Sequence, residues 1–151
     1  MDVYENLKRD GYEIPEMLEA KGLYLPVNRT GNLLYLSGQG SIERGVNLTG
    51  RVGVDVTLDE ARHAAEVCML NTLGALQNYL GDLNRVKKVV KILAFVAGAD
   101  DFTQQAQVVN AASQVLISAF GENGKHARSA IGTNSLPLGL TVEIESIFEI
   151  E

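Results

Sequence analysis

Residues 140–150 read LTVEIESIFEI, and their almost strict alternation decides the fold class. Side chains leave a strand on opposite faces in turn. Leu140, Val142, Ile144, Phe148 and Ile150 therefore share one face, and Thr141, Glu143, Glu145 and Glu149 share the other. The apolar face has to be covered, and two amphipathic segments upstream can cover it. The first opens at Thr57-Leu58-Asp59-Glu60, a capping box in which hydroxyl and carboxylate each satisfy a backbone N–H at a helix start. Ala61, Ala64, Ala65, Cys68, Thr72, Ala75, Leu76 and Tyr79 then recur at helical spacing before a Gly81 stop. The second is expected to begin at the acidic pair Asp100-Asp101, with Phe102, Ala106, Val109, Ala112, Leu116 and Phe120 as its stripe and Gly121 as its end.

Residues 85–96 are rich in Val and Ile without a helical stripe, and Ala127 to Thr133 is short, so both read as strands. Upstream, the apolar runs 22–27 and 32–38 flank Asn28-Arg29-Thr30-Gly31, a cluster of turn formers that predicts a hairpin. The order is hairpin, helix, strand, helix, strand, strand, which predicts an α+β layer: a mixed sheet with two helices on one face. Leu33, Tyr35, Ile131 and Ile147 would be left on the other face, so a homo-oligomer is expected. Residues 1–20 read as an N-terminal extension outside the core, helical on either side of a break at Gly11 and Pro15, and residues 21–151 as a single domain.

The chain has 151 residues, enough to bury a core without disulfide or metal staples. Its one cysteine, Cys68, falls in the stripe of the first long helix, where a thiol behaves as a small hydrophobe. His63 and His126 have no partners at metal-ligand spacing, and no metal is expected. Residues 1–20 carry charges throughout and lack the apolar core of a secretory signal. No later run reaches the roughly 20 apolar residues of a membrane helix, and the expected address is the cytoplasm. A net charge of −6 opposes attraction to nucleic acid, against which Arg85, Lys87, Lys88 and Lys91 are the one dense basic cluster.

Ala127-Arg128-Ser129-Ala130-Ile131, then Leu136-Pro137, then Val142-Glu143-Ile144-Glu145 resemble the RSxV, LP and VEIE signature of the Rid family, also called YjgF, the reactive intermediate deaminases. Gly22-Leu23-Tyr24 is similar to its GPY element, and residues 31–39 (GNLLYLSGQ) to its GNLLYxSGQ element. Val109-Asn110 resembles its VN element. Where the family often has a Cys two places after the Arg, this chain has Ala130, and Leu23 and Pro26 also depart from the pattern.

The resemblance implies a chorismate-mutase-like fold assembled as a homotrimer, with sheets forming an inner barrel and clefts between subunits. It also implies cofactor-free hydrolysis of 2-enamine and 2-imine acids to 2-oxo acids and ammonia. Arg128 would bind the substrate carboxylate, since a guanidinium fork matches a planar carboxylate. Glu143 would position the hydrolytic water. Tyr24, the Ser37-Gly38 backbone and Asn110 would contact substrate. The competing readings are a non-catalytic small-carboxylate binder using the same cleft, and an endoribonuclease or translation inhibitor. The second would want a basic surface with aromatic stacking platforms.

Overall fold

In the computed structural model, which describes residues 2–17 and 22–151, the alternating C-terminal run is the middle strand of a five-stranded sheet. The strands are β1 (Val27–Thr30), β2 (Leu33–Gly40), the small ribbon β3 (Ile42–Glu43) and β4 (Val46–Asn47), β5 (Val86–Ala97), β6 (Ala127–Thr133) and β7 (Val142–Ile150). The helices are α1 (Val3–Arg9), α2 (Leu58–Leu80) and α3 (Gln105–Phe120). The sheet runs β1-β2-β7-β5-β6 and is mixed, because β5 and β6 are parallel and every other pair antiparallel. A parallel pair needs a crossover, and α3 supplies it. The fold is thus the expected α+β layer, with a third helix.

Val142, Ile144, Phe148 and Ile150 of β7 are at most 1% exposed. They pack with Leu34, Ile92, Ala94 and the inner faces of α2 and α3 in one core. The capping box forms as read: Thr57 Oγ1 accepts from Glu60 N–H, and the Glu60 carboxylate accepts from Thr57 N–H. Cys68 is buried, and its thiol donates to the Val142 carbonyl at 3.2 Å. Opposite the helices the sheet is bare. Leu33 pairs with Glu149, Tyr35 with Ile147, and Phe95 with both Glu143 and Ile131, so all of these side chains share one uncovered face.

Three expectations are corrected. Asn28, Arg29 and Thr30 are strand, not turn. The hairpin reverses at Gly31-Asn32, where Thr30 pairs with Leu33 and Gly31 takes the positive φ of 55° that opens a two-residue type II′ turn. β1 is an edge strand with one buried residue, Val27, so polar side chains cost it nothing. Asp100 does not start a helix. Arg51 donates to the Gly98 carbonyl at 2.9 and 2.6 Å and reaches Asp100 at 3.2 Å, so the acid fastens the loop after β5, and α3 begins at Gln105.

The third correction concerns the N-terminus. α1 is capped by Asp2, and its Val3 and Leu7 belong to the core. Its Asn6 donates to the Ala119 carbonyl at 3.1 Å. The segment is therefore docked on α3 rather than standing outside the core. The second helix expected after Pro15 is absent through residue 17, and residues 18–20 lie outside the described residues.

Asp10 locks this docking. Its carboxylate accepts from Arg9 at 3.1 and 3.0 Å and from the Ser118 hydroxyl on α3, and the Arg9 and Ser118 bonds pull its pKa down from 3.8 to about 2. A depressed acid stabilises the fold above its unfolded value and stops doing so as pH falls through its folded value. Wild type should therefore melt above Asp10→Asn at pH 7, and the gap in Tm should close between about pH 4 and pH 2. A gap independent of pH would show that the carboxylate charge is irrelevant.

Candidate functional site

Two groups of polar residues flank the sheet, one on each face. On the bare face, β2 pairs with β7 out to Leu36↔Ser146, then slips before Gln39↔Ile144. Ser37 and Gly38 occupy this irregularity, a feature that bends a strand and re-aims its neighbours. The Ser37 N–H donates to the Pro26 carbonyl at 3.0 Å and its hydroxyl to the Leu25 carbonyl at 2.7 Å, which holds the segment carrying Tyr24 along the strand. Tyr24, expected inside a strand, precedes β1 and is 54% exposed. With Tyr35, Ser37, Lys91, Leu93 and Glu145 it lines an open hollow of about 450 Å³.

Beside this hollow stands Glu143. A Cβ on Gly38 would lie 3.0 Å from the Glu143 carboxyl carbon, so a glycine is what lets the backbone pass so close. Glu143 is half-buried. That burial, and secondarily the Glu145 charge, raise its pKa above the ordinary 4.5. A carboxylate kept short of water and next to a like charge is a stronger base than a surface glutamate.

The second group lies at the sheet edge, on the helix side. Arg128 on β6 pairs with Ile92, a fully buried residue of the helix-covered face, and its guanidinium reaches α3. Nη1 donates to Ser113 Oγ at 3.0 Å and Nη2 to the Ala106 carbonyl at 3.2 Å. Asn110, exposed, lies on the same helical face between those two anchors. Among the described residues no carboxylate pairs with Arg128.

Tyr24, Ser37, Gly38 and Glu143 are therefore gathered on one face, and Arg128 and Asn110 on the other. The sequence reading set Arg128 and Glu143 in one cleft, and within a single protomer they are not together. Through Ile92↔Ser146, Arg128 lies level with Ser146, three residues along β7 from Glu143 and on the opposite side of the sheet. Two further groups escaped the reading: Lys91 in the hollow, and His126, whose Nε2 lies 2.9 Å from Ser113 Oγ. Lys91 reads in sequence only as part of a basic cluster and His126 only as an unpartnered histidine, and neither pattern points to this site.

Residues 5–147 match the family described as "YjgF/chorismate mutase-like, putative endoribonuclease". The chain is 39% identical over 150 residues to protein TCP17 of Trypanosoma cruzi, covering 98% of this chain and 94% of that one. It is 32% identical over 133 residues to the mitochondrial protein mmf1 of Schizosaccharomyces pombe, covering 86% and 70%. The crystal structure of Atu1372, a protein of unknown function from Agrobacterium tumefaciens, superposes with a TM-score of 0.92 at 40% identity over 99% and 92% of the two chains. RidA from an Antarctic Psychrobacter superposes with a TM-score of 0.63 at 26% identity over 89% and 94%.

The chain belongs to the YjgF/Rid family and has its chorismate-mutase-like α+β fold. Among the described residues no helix is long and apolar enough to cross a membrane.

Proposed function

We propose that the protein is a cofactor-free hydrolase that converts reactive 2-imine and 2-enamine acids to 2-oxo acids and ammonia. The observation that carries this reading is Arg128: a guanidinium held by two neutral acceptors, with no acidic partner among the described residues, is a cation prepared for an anionic ligand. A 2-imino acid offers a planar carboxylate for it. Glu143 supplies the other half of the chemistry, a half-buried carboxylate with raised basicity.

In this reading the working site lies between copies of a homotrimer, an arrangement that suits Arg128 and Glu143 on opposite faces of one sheet. Arg128 of one copy meets Glu143, Gly38 and Tyr24 of the next across the otherwise bare sheet face. There Glu143 takes a proton from water as its oxygen attacks the imine carbon and opens the C=N double bond. The resulting carbinolamine receives that proton on nitrogen. The hydroxyl proton then passes to nitrogen as the C–N bond breaks, ammonia leaves, and the 2-oxo acid remains.

The test generates 2-iminobutanoate in situ from an amino acid and follows release of 2-oxobutanoate and ammonia with and without the protein. Acceleration supports the reading. No acceleration combined with saturable 2-oxobutanoate binding would make the protein a carboxylate binder instead. The endoribonuclease reading is less favoured by the charge of −6 and by Lys88, which faces Glu149 across the strands.

A further inference from the structure

The tautomer of His126 can be assigned from its partners. Its Nδ1 lies 2.7 Å from the Gly124 carbonyl oxygen, which can only accept, so Nδ1 carries the hydrogen. In the neutral ring Nε2 is then a lone pair, and it takes the Ser113 hydroxyl hydrogen at 2.9 Å. With that hydrogen committed, the Ser113 oxygen has only lone pairs left to offer, and one receives Arg128 Nη1–H at 3.0 Å. The donors thus run one way, from Arg128 through Ser113 to His126, while His126 in turn is pinned to the backbone that follows α3. Each member is satisfied, the condition under which a polar network rigidifies rather than destabilises.

The ring is kept neutral by its setting. Burial first, and then the Arg128 charge, lower the His126 pKa, while the Gly124 carbonyl acts the other way. Lys125, the residue before His126, pairs with Glu122 at 3.0 Å. Were the ring protonated, Nε2 would become a donor, the Ser113 hydrogen would lose its acceptor, and a second cation would stand on the far side of Ser113 from Arg128.

From this geometry we infer that Ser113 and His126 are positioning residues that hold the Arg128 fork in the orientation that receives a carboxylate. The inference rests on the hydrolase reading of the same site. Neither residue touches substrate. Ser113 fixes one arm of the fork from α3 while the Ala106 carbonyl, two turns earlier on the same helix, fixes the other. Without Ser113 the guanidinium keeps its charge and loses its aim.

Two measurements test this. The first compares KM and kcat for 2-iminobutanoate hydrolysis, and the Kd of 2-oxobutanoate, in wild type, Ser113→Ala and Ser113→Thr. Ser113→Ala should raise KM and Kd about tenfold, the scale of one hydrogen bond to a charged group, with kcat held within about twofold. Ser113→Thr, which keeps the hydroxyl, should restore both. The second follows the His126 ring by NMR. Removing the neighbouring cation in Arg128→Gln should raise the His126 pKa, and saturating 2-oxobutanoate should raise it in wild type and leave it unmoved in Arg128→Gln.

An active wild type with Ser113→Ala at wild-type KM, or a His126 titration indifferent to Arg128→Gln, would overturn the positioning role alone. A wild type with neither turnover nor 2-oxobutanoate binding would overturn the hydrolase reading and this role together.

Discussion

Arg128→Ala is expected to lower kcat/KM for 2-iminobutanoate hydrolysis by about 30- to 5,000-fold, the equivalent of the roughly 2–5 kcal/mol lost when one partner of a hydrogen-bonded charge pair is truncated. The size follows from the chemistry of the fork. A guanidinium can present two parallel N–H donors to one carboxylate, and that of Arg128 is anchored on α3 at both Ser113 and Ala106. Arg128→Lys should recover only part of the loss, because an ammonium restores the charge without the planar pair of donors. The fold should survive. Arg128 is half-buried on the edge strand β6, and its removal leaves Ser113 still bonded to His126. Equal Tm values for wild type and variant would exclude unfolding as the cause. A variant that hydrolyses the imine at the wild-type rate would remove Arg128 from the mechanism and, with it, the carboxylate as the handle by which substrate is held.

What could be read from the sequence divides along the range of the interactions involved. β7 is legible because a strand with one buried face writes its period into nine consecutive residues, and the start of α2 because Thr57 and Glu60 satisfy each other within one turn. The start of α3 was misplaced because Asp100 is claimed by Arg51, 49 residues away, and a local pattern carries no trace of that contact. The hairpin turn was misplaced because Asn28, Arg29 and Thr30 have turn chemistry, while an edge strand tolerates them.

The site divides in the same way. Tyr24, Ser37, Gly38, Asn110, Arg128 and Glu143 are candidates on sequence alone, but the face on which Arg128 emerges is not legible there. Ala-Arg-Ser-Ala-Ile-Gly-Thr has no clean alternation, and only the parallel register with β5, Arg128 against Ile92, places its side chain under the helices. The His126–Ser113 contact spans 13 residues between a strand start and a helix face, and it too exists only after folding.

Glu143→Gln separates chemistry from folding more sharply than any other substitution in the site. As the group proposed to take the proton from water and return it to nitrogen, Glu143 should contribute about 10²- to 10⁴-fold to kcat, and glutamine, nearly isosteric and unable to accept that proton, should lose it. In wild type the rate should fall as pH drops through the Glu143 pKa, which burial first and Glu145 second raise above 4.5. The residual rate of the variant should lack that acidic limb. Stability should move the other way. A carboxyl whose pKa is higher in the folded than in the unfolded chain makes the folded state bind more protons. Its ionised form is therefore a cost to the fold above the folded pKa, relieved as pH falls through it. Glu143→Gln should consequently melt at or above the wild-type temperature at pH 7, with the difference shrinking as wild-type Glu143 protonates in acid. A variant both inactive and destabilised at neutral pH would mean that Glu143 holds the sheet rather than the water. An active variant would move the base elsewhere, and Glu145, on the same face two residues on, would be next to be replaced.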